Sequence, residues 1–319
     1  MIQRRNLLLG TASLALSSLA CQPAQAAGFR PNLAGLEHRV TNTSAPEVFF
    51  IPKLSDAAML RVYRALSWKP SGRVGVKVNF EGHGKPYIDP RLITSVVREA
   101  KGTFLESNTY SSTRERLALA AELGFAGIAP TDIIDDEGSI DLPVPGGFHL
   151  KSHRVGSHFA NYDSVISIVR FKLHNLPMLG GTLKNLSITL SPYPGRCNIH
   201  SGGRAFNRWI QEPDKILAES ITDAVKAALA ARPGRWAFLA AMPAFAPRDN
   251  CPGAVDAGDI GVFASMDPVA IDSVCTDIAL QSAPDAATRG KWIAEHTLSI
   301  LDMAEKNGVG SRAYRLTVL

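Results

Sequence analysis

The stretch DSVISIVRFK, residues 163–172, decides the fold. It is a nearly continuous apolar run, the pattern of a short strand buried on both faces. Upstream, RVGVKVN (73–79) is another short β-branched strand. PRLITSVVREA (90–100) then places apolar residues at helical spacing behind Pro90, a residue suited to a first helical turn. GTFLESNTY (102–110) returns to strand character and TRERLALAAELGF (113–125) to helix. Downstream, PDKILAESITDAVKAALAAR (213–232) is a long helix, and RWAFLAAMPAF (235–245) and IGVFAS (260–265) are strands. DPVAIDSVCTDIAL opens a helix with Asp267 as cap and Pro268 in its first turn. A last helix runs over roughly 285–307 and stops at Gly308. Such alternation predicts an α/β fold, a mostly parallel sheet with helices on both faces. A Gly/Pro-rich connection at 143–147 marks two candidate lobes, about 27–145 and 146–319.

In sheets of this kind ligands bind beyond the carboxyl ends of the strands. The first strand ends in Lys77 and Asn79, and the second reaches Glu106, Asn108 and Thr109. The third delivers Lys172 and His174, and IGVFAS leads to Ser265 and Asp267. The loop FKLHNLPMLGGTLKN (171–185) adds Gly180 and Gly181, whose missing side chains let backbone N–H groups approach an anion, followed by Lys184 and Asn185. Candidate catalytic residues are therefore Lys172, His174 and Lys184. Candidate ligand-binding residues are Lys77, Asn79, Asn108, Gly180, Gly181, Asn185, Ser265 and Asp267, and candidate metal ligands are His200 and Cys251.

Each has a plainer reading. Strand alternation can turn Lys77 to solvent, Asp267 is satisfied as a helix cap, and Asp272 suits a solvated helix face. His149, His153 and His158 lie in a strand or loop and read as surface residues. Cys275 falls on an apolar helix face and reads as core.

Other chemistry lacks its signature. The chain has no GxSxG, HExxH, GxxxxGK[ST] or strand-following GxGxxG. A formal charge of +5 comes without any Lys/Arg block or aromatic–basic interleaving, which argues against nucleic acid as a partner. MIQRR, an apolar run and Ala24-Gln25-Ala26 form a signal peptide over residues 1–26, with Arg4-Arg5 pointing to the twin-arginine export machinery. The expected setting is periplasmic or exported, with no membrane span after cleavage. A lipoprotein anchor at Cys21 is the weaker alternative. Cysteine then matters. Cys197, Cys251 and Cys275 remain, Cys197 and Cys251 either pair as a disulfide or stay thiols near a site, and without any CxxC the count excludes an iron–sulfur module or zinc ribbon.

VGVKVNFE (74–81), FLESNTY (104–110), FKLHNLPMLGGTLKNLSI (171–188), His200 after GRCN, and DIGVFASMDPVAIDSVC (259–275) together resemble the Domain of Unknown Function 362 family. Many of its members resemble iron–sulfur proteins through a cysteine-rich insert after the residue matching His200. Here RAFNRWIQEPDK follows, without cysteine, so the resemblance implies no cluster. The order His174, Gly180-Gly181, Lys184, His200 is also similar to a motif of the lactate racemase family. That similarity implies a nickel-pincer nucleotide tethered to Lys184, His200 as nickel ligand and His174 as an acid/base. The family's Asp-x-Thr-Arg stretch is replaced here by the region of Lys77 and Asn79. Two functions are expected from these readings: a cofactor- or metal-dependent enzyme of redox or hydride-transfer type acting on a small molecule, or a non-catalytic binding protein for a small anion or metal ion.

Overall fold

The computed structural model describes residues 29–81, 85–108, 110–173, 179–243, 258–283, 285–296 and 298–319. The expected signal peptide with Arg4, Arg5 and Cys21, together with Thr109, His174 and Cys251, lies outside the described residues. Strand β1 (Glu47–Ile51) and helix α1 (Asp56–Ala65) lead into β2 (Val74–Lys77), α2 (Thr94–Glu99), β3 (Thr103–Glu106), α3 (Thr113–Glu122) and β4 (Thr131–Ile133). A separate two-stranded sheet, β5 (Ser139–Pro143) with β6 (Ser152–Gly156), precedes β7 (Ser164–Arg170). A two-residue ladder follows, β8 (Lys172–Leu173) with β9 (Leu179–Gly180), then helices α4 (Thr182–Leu186) and α5 (Tyr193–His200). The chain continues through α6 (Asp214–Ala231), β10 (Trp236–Met242), β11 (Gly261–Ser265), α7 (Pro268–Gln281), α8 (Ala286–His296), α9 (Leu298–Lys306) and β12 (Arg315–Val318).

Eight strands form one sheet in the order β12-β1-β11-β10-β7-β2-β3-β4. Strands from before and after the 143–147 connection share it. β7 lies inside, with Val165 opposite Trp236 and Ile166 opposite Val76. Its alternation has apolar partners on each side: Val165 and Val169 pack with Phe238 and Ile221, whereas Ile166 and Ile168 pack with Leu239, Met59 and Val96. Fully burying each such side chain stabilises the fold by roughly 1.5–3 kcal/mol, which is why a strand with two apolar faces settles between two helical layers. The α/β fold with a mostly parallel sheet is thus observed. Among the described residues no helix is long and apolar enough to cross a membrane.

One strand breaks the parallel pattern. β11 runs antiparallel to both β1 and β10, pairing Ser265 with Phe238 near the start of β10. Ser265 and Asp267 therefore emerge at the rim opposite Lys77 and Glu106. Asp267 is the cap of α7: its Oδ1 accepts from the N–H groups of Val269 and Ala270 at 2.8 and 2.9 Å, and Oδ2 accepts from Ser311 N–H at 3.1 Å.

Two further expectations are corrected. Asp272 is fully buried within α7, a helix whose residues from Pro268 to Leu280 are all buried. His153 is fully buried on β6, with Nε2 3.2 Å from the Leu186 carbonyl. His149 and His158 are half-buried and paired with Glu219 and Asp132. Cys275 is core, and both it and Cys197 are buried thiols.

Candidate functional site

The carboxyl ends of β2 and β3 build the floor of the site. Lys77 closes β2 and is completely buried, because both faces of the sheet are covered there. Its Nζ contacts the Val78 carbonyl and stands 3.6 Å from Glu106 Oε1 at the end of β3. Burial pushes the Lys77 ammonium down to about 8, opposed by the Glu106 charge and reinforced by Arg196 and Arg116. Glu106 is held by two backbone donors, Phe80 N–H on Oε2 at 2.7 Å and Ser107 N–H on Oε1 at 2.9 Å. Arg116 Nη2 lies 3.2 Å from Glu106 Oε2 as a charge contact without hydrogen-bond alignment, and Arg116 Nε is buried with no hydrogen-bond partner. Arg196, on α5, donates to the Ser191 carbonyl and the Ser107 hydroxyl, each at 3.0 Å.

Above this floor Glu81 adopts a left-handed backbone, φ 56°, a conformation that costs energy for a residue with a side chain. Three contacts fix it. Asn79 Oδ1 accepts from the Glu81 N–H at 2.9 Å, Asn79 Nδ2 donates to Glu81 Oε1 at 3.0 Å, and Arg116 Nη1 donates to the Glu81 carbonyl at 2.7 Å. Lys172 Nζ then donates to Glu81 Oε1 at 3.0 Å.

The glycine pair serves packing. A side chain on Gly180 would meet Lys172 Cγ at 2.3 Å, and one on Gly181 would meet Asp272 Oδ1 at 2.5 Å. The amides that follow are already satisfied, since Asp272 accepts from Thr182 and Leu183 N–H at 2.8 and 2.9 Å. The anion expected at this turn is thus internal, a carboxylate that burial pushes up to about 7. Asn185 works from the same short helix: Nδ2 donates to the Lys77 carbonyl and the Ser167 hydroxyl, and Oδ1 accepts from Thr189 Oγ1. It locks α4 to β2 and β7.

A cleft opens over these groups. One part is lined by Asn79, Glu81, Lys172, Gly180, Lys184 and Asn185. The adjoining part, of about 490 Å³, shares Asn79, Glu81 and Lys184 and adds Tyr110, Arg116 and Arg196. The structure thus brings together Asn79, Lys172, Gly180, Gly181, Lys184 and Asn185, with Lys77 beneath them.

Asn108 sits beside the cleft, its N–H on Asp135 Oδ1 and its side chain against the Thr113 hydroxyl. His200 ends α5 under the Trp209 ring, 3.8 Å between centroids, and its Nδ1 is 3.1 Å from Gln211 Oε1. Burial pushes its imidazole down to about 4, with Arg196 and Lys184 adding to the effect and Gln211 opposing it. An acceptor oxygen at Nδ1 leaves the lone pair on Nε2. Among the described residues no three His, Cys, Asp or Glu side chains converge as a metal site. Glu81, Arg116, Arg196 and Tyr110 were not among the expected site residues. Arg116 reads in sequence as the charged face of a solvated helix, and only the fold turns it inward.

No curated protein matches the chain. Among solved structures it is similar to the lactate racemase apoprotein from Thermoanaerobacterium thermosaccharolyticum, at 15% identity and a TM-score of 0.38, covering 61% of this chain and 50% of that one. A protein from Thermotoga maritima gives 13% identity and a TM-score of 0.41, with 59% and 50% covered. The chain spans about half the length of either structure. The profile described as "Domain of unknown function (DUF362)" matches residues 74–277. That span contains β2, β3, β7, the glycine pair, Lys184 and His200, the elements from which the cleft and its surroundings are built, and the chain belongs to the Domain of Unknown Function 362 family.

Proposed function

We propose that the strand-end cleft binds a small organic anion and that the chain is an enzyme acting on it. One observation carries this reading. Six cationic side chains line the cleft, Lys85, Arg116, Arg170, Lys172, Lys184 and Arg196, against two carboxylates, Glu81 and Glu115. Glu115 is already engaged as the partner of Ser112 in the capping box of α3. An excess of one sign along a cleft wall gives it a positive field that attracts an anion. A fixed, strained Glu81 and a depressed Lys77 at one site favour turnover over passive capture.

Within this reading, a cofactor- or metal-dependent reaction of redox or hydride-transfer type assigns Lys184 to the cofactor and His200 to the metal. Support for His200 is its neutral imidazole with Nδ1 engaged and Nε2 left as the basic nitrogen. A nickel-pincer nucleotide on Lys184 belongs to the same proposal, and the cationic lining suits its phosphate charge. The leader at 1–26 places this activity in the periplasm, after twin-arginine export. The second reading, a binding protein for a small anion, draws on Lys172 and Arg116, both tied to Glu81 as fixed charges.

Lys184→Arg separates the two, because arginine keeps the charge and cannot carry a covalent adduct. Protein from the native host is analysed for metal and intact mass, and anion affinity is measured for wild type and variant. A mass excess on Lys184 that the variant loses, with loss of activity, is the expected result. An unmodified, metal-free wild type whose anion affinity survives in the variant leaves the binding protein as the function.

A further inference from the structure

We infer that the anion taken by this cleft carries a flat ring, and that Tyr110 is the surface on which the ring lies. The inference rests on the anion-binding reading and adds the ligand's second half. Tyr110 lines the cleft beside Arg116 and Arg196, yet its side chain is 70% exposed. Tyr193, at the first turn of α5, is 40% exposed and meets it edge to face, with centroids 5.9 Å apart at 66°. Single exposed apolar side chains are ordinary. Two tyrosines in contact at the mouth of a cationic cleft are a different arrangement, one that leaves aromatic surface in water beside an anion-binding floor.

The geometry favours a ring over an aliphatic chain. The Arg196 guanidinium carbon is 5.8 Å from the Tyr110 centroid, and its nitrogens are anchored on Ser191 and Ser107. The Tyr193 edge and the guanidinium both restrain the Tyr110 ring, so it offers a preorganised platform and loses little entropy on stacking. Volume points the same way. A cleft of about 490 Å³ is sized for a complete organic molecule, and a bare oxyanion leaves most of it to water. The ligand class is a phosphate or carboxylate joined to a planar aromatic ring, its anionic end toward Arg116 and Lys184 and its ring toward Tyr110.

Calorimetric titration of the full chain with inorganic phosphate, phenyl phosphate and adenosine monophosphate tests this. The variants are Tyr110→Ala, Tyr110→Phe and Arg116→Ala. Base or ring stacking on an aromatic side chain predicts a gain of about tenfold or more for the ring-bearing phosphates over inorganic phosphate. Tyr110→Ala should erase most of that gain and Tyr110→Phe should keep it, with inorganic phosphate bound equally by all three proteins. Equal affinities for ring-bearing and ring-free phosphates in wild type, unchanged by Tyr110→Ala, overturn the inference and leave the anion site standing. Failure of every phosphate to bind wild type, or indifference of binding to Arg116→Ala, overturns the anion-binding reading and this inference with it.

Discussion

Lys77 is the residue on which the electrostatics of the site turn. It is wholly buried, it faces a carboxylate already held by two amides, and Arg116 and Arg196 add like charge around it. Its ammonium titrates near 8 in the folded chain, against an ordinary 10.5. Between those values the unfolded chain holds a proton that the folded chain has released. Stability contributed by this group therefore rises as pH rises through that window, by about 3 kcal/mol for a shift of this size. Lys77→Met removes the titration while Glu106 keeps Arg116 and its two amides. Urea unfolding at pH 7.5, 8.5 and 9.5 should show the wild type gaining stability relative to Lys77→Met. Parallel curves for the two proteins mean that Lys77 holds its proton in the interior as firmly as in the unfolded chain, and that burial does not depress it. In sequence, Val-Gly-Val-Lys alternation leaves this lysine as readily on a solvent face as at a site, because burial on both faces belongs to the neighbours and not to the strand itself.

At the level of elements, the short helix α4 is placed by what it touches on every side. Asp272 from α7 takes its first amides, Asn185 ties it to β2 and β7, and the Leu186 carbonyl meets His153 from β6. Gly181 has an extended backbone that any residue adopts, so the need for glycine is spatial. Gly181→Ala drives a methyl group to within 2.5 Å of the fully buried Asp272 carboxylate. Overpacking of this kind costs about 1–3 kcal/mol, and the variant's denaturation midpoint should fall accordingly. An unchanged midpoint means the turn has slack that the contacts deny. The strands with the strongest apolar runs were legible because a doubly covered sheet demands such runs. DSVISIVRFK and RWAFLAAMPAF declare themselves, whereas TDI of β4 is too short to do so, and EVFFI of β1 lies outside the strand–helix alternation that begins at RVGVKVN. The direction of β11 was not legible, since nothing in IGVFAS tells a parallel strand from an antiparallel one. That missing sign put Ser265 and Asp267 at the wrong rim. The cluster at Lys172, Gly180, Gly181 and Lys184 was legible because those residue types are dense in one loop. Arg116, Arg196 and Tyr110 reach the cleft from helices and loops distant in sequence, and no local pattern marks them.

Across the whole molecule, two buried groups with opposed shifts touch α4, Asp272 at its first amides and His153 at the Leu186 carbonyl. His153 is pushed down to about 4 by burial, with the Leu186 carbonyl partly opposing, and its Nδ1 has no partner. Between pH 4 and 6.5 the unfolded chain gains a proton on this histidine that the folded chain refuses, so stability falls as pH falls through that range. Asp272 does the reverse. Its folded value of about 7 lies above the ordinary 3.8, so the folded chain gains the proton first, and stability rises as pH falls from 7 toward 4. Each shift corresponds to about 3–4 kcal/mol, and over their shared window the two slopes largely cancel. Either replacement should expose the other. His153→Gln keeps an amide donor for the Leu186 carbonyl and removes the acid penalty, so its urea midpoint should climb relative to wild type between pH 6.5 and 4. Asp272→Asn removes the opposing gain, and its midpoint should drop relative to wild type as pH falls from 7 to 4. Divergence in these opposite directions establishes that two buried groups touching α4, the helix carrying Lys184 into the cleft, are both held in their uncharged forms in this range, with opposed effects on stability. Variants that merely shift the midpoint by a constant across the range show that burial moves neither group away from its unfolded value, and overturn the opposed shifts.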